Sequence, residues 1–257
     1  RLGTALRNLG LISDSRDLSM ASAVHFLVFI LSLTFVCCGA SKAISIDVYY
    51  ESNCPYSQRF INTELAPLWS DLEWKSLLEV HFVPFGMGRI LEDAQGKNVV
   101  CQHGADECVG NRVQDCAIQR FGDKSDLLTD FVLCMERNLA DGMAASSTVS
   151  YEQCTSPDMV LALQQCAANP DSLQLAIQNG QETQIAHPIQ VPFVVLSELP
   201  SYNLYGSPLK DTLCGELTDR PELPRPTSCG IASVVSTRLR RLRGHGSRGQ
   251  GGNVTLV

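Results

Sequence analysis

The chain has 257 residues, 44% of them hydrophobic and 18% charged, with a formal net charge of −7. That length can bury a sizeable core, and the balance is that of a globular protein rather than a fibrous or low-complexity chain. Both ends are basic, so the body between them is more acidic than the total, which does not suit a nucleic-acid binder.

Residues 1–43 stand apart. From Val24 to Val36 the chain is apolar except for His25, Ser32 and Thr34. Such a run is too short to span a bilayer and suits the apolar region of a signal peptide. Cys38-Gly39-Ala40 and Ser41-Lys42-Ala43 supply small residues for cleavage. Met20 precedes the run and leaves residues 1–19 upstream of a start. No basic residue separates Met20 from the run, so an uncleaved membrane anchor is the alternative.

Ile44 to Tyr50 reads as a buried strand rich in β-formers. Cys54-Pro55 then opens a helix, because proline suits the first helical turn, where its missing N–H has no partner anyway. Phe60, Ile61, Leu65 and Leu68 continue it at helical spacing, with Pro67 as a kink or end. Glu79 to Phe85 predicts a second strand, stopped by Gly86 and Gly88. Val109, Val113, Cys116, Ala117 and Phe121 form a helical stripe ended by Gly122. Leu127, Leu128, Phe131, Val132, Met135 and Leu139 form an amphipathic helix stopped by Gly142. Ser156-Pro157-Asp158 starts a third, running Met159 to Ala168, and Asp171 to Asn179 predicts a short fourth stopped by Gly180.

Val191-Pro192 and the run to Leu196 return the chain to strand. A strand, a cysteine at a helix start, a strand, a helical block and a proline before a strand is the order of an α/β thioredoxin-like fold with a disulfide-rich helical insertion. The expected domain spans 44–229, with the insertion at about 101–180 and its last strand and helix between 200 and 229. Residues 230–257 carry Arg238, Arg240, Arg241, Arg243 and Arg248 without an acid and read as a basic disordered tail.

Eleven cysteines favour an oxidising compartment. Cys37 and Cys38 would leave with the signal peptide. Of the remainder, Cys54 sits at a strand-to-helix junction and is the natural free thiol. Cys101, Cys108, Cys116, Cys134, Cys154, Cys166, Cys214 and Cys229 are then structural disulfide cysteines, and Cys214–Cys229 would close a Pro-rich C-terminal loop. Zinc on Cys101, His103, Cys108 and Cys116 is the competing arrangement, disfavoured because these thiols would pair first. No metal is expected.

Cys101-Gln102-His103-Gly104, then Glu107-Cys108, Asn111 and Cys116, specify eight positions within a short stretch. This pattern resembles the signature of the gamma-interferon-inducible lysosomal thiol reductase family. The family usually carries Cys-x-x-Cys upstream, where this chain has Cys54-Pro55-Tyr56-Ser57. The resemblance implies thiol–disulfide exchange on protein disulfides, with Cys54 as nucleophile and Ser57 in the resolving position. It also implies a cis Val191-Pro192 peptide facing the cysteine, so that Pro55, Tyr56, Val191 and Pro192 would meet the substrate chain.

The chemistry fits these residue types. The thiolate is the attacking species, and the unpaired N–H groups at a helix start favour it. A serine at the resolving position forms no disulfide, although it could hydrogen-bond the thiolate. An external thiol such as glutathione or cysteine would then complete a monothiol cycle, and no other cofactor is expected. The rival is a redox-weak, disulfide-braced secreted binding protein that keeps the fold. Gln102, His103 and Glu107 suit either a polar pocket or ordinary turn roles, and His187 either tunes Cys54 or sits in a surface loop. The expected partners are disulfide-containing proteins, with no nucleic acid and no membrane span after signal cleavage. Delivery through the secretory pathway, to the outside or to a lysosome or vacuole, follows. The one sequon is Asn253-Val254-Thr255.

Overall fold

The computed structural model describes residues 44–94, 96–196 and 208–230. The expected signal peptide and the tail beyond Gly230 lie outside them. Strand β1 (Ile44–Tyr50) is central. It pairs in parallel with β2 (Leu78–Pro84), from Ile44 opposite Leu78 to Tyr50 opposite Pro84. It pairs antiparallel with β5 (Phe193–Leu196), Val48 opposite Val194. Ile46, Val48, Tyr50, Val80 and Phe82 are fully buried, so both strands are committed to a core.

Between β1 and β2 the chain makes a helical crossover. It runs as α1 (Pro55–Phe60), a π-helical turn (Ile61–Leu65), α2 (Ala66–Ser70) and α3 (Leu72–Lys75). The π turn lies just ahead of Pro67, whose ring would clash with the carbonyl four residues back in a regular helix. Widening the turn lets the helix pass the proline instead of ending there. Parallel β1–β2 with this crossover and an antiparallel β5 entered through a cis Val191–Pro192 bond make the thioredoxin-like arrangement.

A helical block stands between β2 and β5: α4 (Ala105–Phe121), α5 (Asp126–Ala140), α6 (Pro157–Ala168) and α7 (Leu173–Ala186). Ser125 and Ser156 start α5 and α6 by accepting hydrogen bonds from the N–H groups of Leu128 and Met159. Cys116–Cys166 ties α4 to α6, and Cys134–Cys154 ties α5 to the segment after it. Cys101–Cys108 and Cys214–Cys229 complete four disulfides among the described residues. After β5, α8 (Leu209–Asp219) packs Leu209 and Leu213 into the same core.

Several elements differ from the sequence reading. Strand β2 starts and ends one residue earlier than the predicted Glu79–Phe85. A hairpin of β3 (Arg89–Asp93) and β4 (Gly96–Val100) was not foreseen; both strands are largely exposed, so they show no alternation of apolar residues. Leu127 is 65% exposed and lies off the apolar face of α5. Helix α7 runs through Gly180 to Ala186 and ends at His187, whose φ of 50° is left-handed. Gly180 is a packing residue: a Cβ there would lie 2.6 Å from Phe85 Cε2. The sheet has three strands among the described residues, and a further strand between 200 and 207 would fall outside them.

Candidate active site

Strand β1 ends at Tyr50, and Glu51-Ser52-Asn53 carry the chain to Cys54. Cys54 is the N-cap of α1, with extended backbone (φ −77°, ψ 118°), and its carbonyl accepts the Gln58 N–H at 3.0 Å. Pro55 follows as the first helical residue. Cys54 is 4% exposed and is the free cysteine among the described residues.

The three-residue loop before Cys54 is clamped by the first half of α4, where the dense motif lies. Asn111 Oδ1 accepts the Ser52 N–H at 3.0 Å, and the Ser52 hydroxyl donates to the Glu107 carbonyl at 3.3 Å. Asn53 Nδ2 donates to Asp106 at 2.9 Å. Asp106 also accepts the N–H groups of Ala145 and Ser146 at 2.9 Å. Partial burial would raise the Asp106 carboxyl, but the bonds from Ser146, Asn53 and Ala145 outweigh it and hold it at about 2. Gly110 permits the close approach, because a Cβ there would meet Ser52 Oγ at 2.6 Å. The motif residues therefore fix the loop that aims the thiol.

Under the thiol lies a carboxylate–imidazole cluster. Glu51 is fully buried; its Oε1 accepts the Met87 N–H at 2.7 Å, while Oε2 has no hydrogen-bond partner. His103 Nδ1 stands 3.5 Å from Glu51 Oε2 and 2.5 Å from Glu107 Oε2. Glu107, also fully buried, accepts the His103 N–H through Oε1 at 3.1 Å. Donor atoms of Glu51, Cys54 and His103 all lie within 4.8 Å of one another. Burial and then the nearby Glu107 push the Glu51 carboxyl up to about 7, against the opposing pull of Met87 N–H and His103. Of the two roles open to His103 and Glu107, Glu107 performs the turn role toward the backbone and also grips the ring.

Cys54 opens onto a cleft of about 690 Å³ whose walls include Tyr56, Gln102, His103, Val191 and Pro192. The cis Val191–Pro192 bond thus shares this cleft with the thiol and Pro55. Tyr56 is 72% exposed at the rim, as is Ile189 at 77%. Ser57 is fully buried, and its Oγ accepts the Glu51 N–H at 3.4 Å. No hydrogen bond joins Ser57 to Cys54 among the described residues, so the serine braces the loop from within. His187 ends α7 and is absent from the cleft lining.

Of the four residues weighed for zinc, Cys101, Cys108 and Cys116 are consumed by disulfides, which leaves only His103. Sequence reasoning missed Glu51 and Asn111 as site residues. Asn111 was visible as a motif position without a role; nothing local marked Glu51, whose importance comes from what packs over it.

A free thiol at a helix start, sharing a cleft with a cis proline in a thioredoxin-like fold, defines a thiol–disulfide oxidoreductase. Residues 45–157 match the family described as gamma interferon inducible lysosomal thiol reductase (GILT). A gamma-interferon-inducible lysosomal thiol reductase-like protein of Anopheles gambiae is 32% identical over 239 residues, covering 84% of this chain and 98% of that protein. The gamma-interferon-inducible lysosomal thiol reductase of Mus musculus is 28% identical, covering 70% of this chain and 75% of that protein. The crystal structure of Chlamydia trachomatis DsbA superposes with a TM-score of 0.44 at 11% identity, covering 79% of this chain and 90% of that one. The chain belongs to the gamma-interferon-inducible lysosomal thiol reductase family.

Proposed function

We propose that this member of the family works as a monothiol reductase of protein disulfides. The observation that carries the reading is the placement of one free cysteine, Cys54, at a helix start within a cleft shared with cis Val191–Pro192, while position 57 is a serine. The Cys54 thiolate attacks one sulfur of a substrate disulfide. The other substrate sulfur leaves as a thiolate and takes up a proton, and a Cys54–substrate mixed disulfide remains. A small thiol such as glutathione or cysteine then displaces the second substrate sulfur and becomes joined to Cys54. A second molecule of the same thiol attacks that bond, frees Cys54 and leaves as the oxidised dimer. Two small thiols are oxidised for each substrate disulfide reduced, and no metal or organic cofactor enters.

Pro55, Tyr56, Val191 and Pro192 meet the substrate chain, and Ser57 keeps the loop in place without resolving the intermediate. Passage through the secretory pathway to a lysosome, a vacuole or the outside suits the disulfides. Among the described residues no helix is long and apolar enough to cross a membrane.

The test is turnover of a disulfide-linked protein substrate with and without added glutathione or cysteine, with the adducts of Cys54 read by mass spectrometry. Turnover should need the small thiol, and mixed disulfides should form on Cys54 and vanish in Cys54→Ala. Equal capture by Cys54→Ala would refute the assignment. Capture without turnover at any thiol concentration would favour a redox-weak binding protein.

A further inference from the structure

We infer that Glu51, Cys54 and His103 form a binding site for one zinc ion, whose occupation takes the thiol out of exchange. Three different donors converge from two separated parts of the chain, the end of β1 with its loop and the turn before α4. Their ligating atoms lie within 4.8 Å of one another. Donors around a tetrahedral zinc stand roughly 3.3–3.6 Å apart, given metal–ligand bonds of about 2.0–2.3 Å. Binding zinc therefore requires these donors to draw together by up to about 1 Å.

A second observation points to a ligand. Glu51 Oε2 is fully buried and has no hydrogen-bond partner, while its sister oxygen is held by Met87 N–H. Its nearest counter-charge is His103 Nδ1 at 3.5 Å, which makes no hydrogen bond to it, and a carboxylate oxygen left so is costly to bury unless a cation satisfies it. Glu107 Oε2 takes His103 Nδ1, so the metal would be bound through Nε2 with Nδ1–H donated to the carboxylate, the arrangement that orients a metal-binding imidazole and raises its basicity. The ring is about a third exposed and faces the cleft, which gives an ion an entry path and room for a water or a fourth ligand.

The donor chemistry selects the ion. One thiolate, one imidazole and one carboxylate suit zinc, whereas calcium and magnesium prefer oxygen alone. Zinc displaces the Cys54 thiol proton to solvent, and thiolate and carboxylate together balance its two charges. The sulfur lone pair then lies in the metal bond and is unavailable for attack. This ligand set is distinct from Cys101, Cys108 and Cys116, which are held in disulfides.

The reduced, chelator-stripped protein is titrated with zinc by calorimetry at neutral pH, and with cobalt(II) to follow the thiolate-to-metal absorption. One ion should bind per chain, and saturating zinc should slow alkylation of Cys54 at least about tenfold. Cys54→Ala should abolish the cobalt–thiolate band, and Glu51→Gln or His103→Ala should weaken zinc at least about tenfold. His81→Ala should bind as wild type; it removes the other histidine surrounded by carboxylates, Asp47, Asp123 and Glu182. Binding that survives Cys54→Ala, or that is unchanged in His103→Ala, overturns the site. Should Glu51→Gln fail to fold, the exposed-ring variant His103→Ala decides alone. The readout is binding rather than turnover, so a chain that reduces nothing could still bind zinc, and a working reductase could fail to.

Discussion

The side-chain oxygen of Asn111 accepts the backbone N–H of Ser52 at 3.0 Å, two residues before the free cysteine and 59 positions away in sequence. This bond joins the densest motif in the chain to the loop that aims Cys54. Asn111→Ala leaves a buried N–H unsatisfied, which costs about 1–3 kcal/mol. The expected outcome is slower mixed-disulfide formation at Cys54, with loss of thermal stability of that order. Asn111→Asp keeps an acceptor and should recover most of the rate. Single-turnover capture of a disulfide substrate by the two variants checks this.

The buried carboxyls make the fold acid-favoured. Tyr50 donates to Gln114, and Gln114 donates to Glu136 at 2.5 Å, but Glu136 Oε2 has no partner. Burial, opposed by the Gln114 bond and reinforced by Glu107, raises Glu136 from 4.5 to about 8. Asp115 is pushed the same way, chiefly by burial, against the Asn179 bond and Arg112. A carboxyl raised in the folded state is neutral there while the unfolded chain ionises. Its contribution is whole below about pH 4.5 and is lost as pH climbs toward 8. Stability should therefore fall between pH 5 and 8, by at most ~1.4 kcal/mol per pH unit for Glu136 alone. His81 works in the same direction: burial would lower it, but Asp47, Asp123 and Glu182 together raise it. Urea melts across this range measure the slope, and Glu136→Gln should flatten it. A slope of opposite sign refutes the account.

Gly180→Ala tests the packing of α7 on the β2–β3 corner. Alanine improves helix propensity by about 1 kcal/mol relative to glycine. Against that, the new methyl would stand 2.6 Å from Phe85 Cε2 and 2.9 Å from Ile90 Cδ1, and Phe85 is only 3% exposed. Overpacking of this kind costs about 1–3 kcal/mol, so the clash should prevail. The variant is expected to melt earlier than wild type. An unchanged or higher melting temperature contradicts the close contact.

Ser57→Cys restores a second thiol three residues after Cys54. On the monothiol reading, this variant should form a cross-link between positions 54 and 57 on oxidation. Its capture intermediate should resolve without added glutathione. Peptide mapping under non-reducing conditions reads the cross-link, and the dependence of rate on small-thiol concentration reads the resolution. Because Ser57 Oγ accepts the Glu51 N–H, the substitution also loosens that brace, and a modest fall in stability is expected.

Much of the fold was legible locally. The β-branched and aromatic run at Ile44–Tyr50, Cys54-Pro55 as a helix start and Val191-Pro192 before a strand each carry their signal in adjacent residues. Asn179-Gly180 looked like a helix end because glycine usually breaks periodicity; Gly180 instead lies inside α7, where the Phe85 ring, invisible from the neighbouring sequence, leaves no room for a Cβ. The β3–β4 hairpin shows little pattern because most of its residues are exposed, with Ile90 and Val99 half-buried. At the site, Cys54 was readable from its position, whereas Glu51 looked like an ordinary acidic loop residue. Only the fold brings His103 and Glu107 over it. Ser57 could have hydrogen-bonded the thiolate; its Oγ accepts the Glu51 N–H, a partner that periodicity alone does not determine.

The C-terminal segment is moored at several points. Leu209 N–H donates to Glu64 at 2.7 Å, and Trp74 Nε1 donates to Ser228 at 2.8 Å. Thr227 binds Glu73 through both its N–H and its hydroxyl, and Cys229 is linked to Cys214. All of these attachments precede Gly230. A protease that pared the chain back to that glycine would remove none of them, so trimmed and untrimmed forms should share one catalytic body.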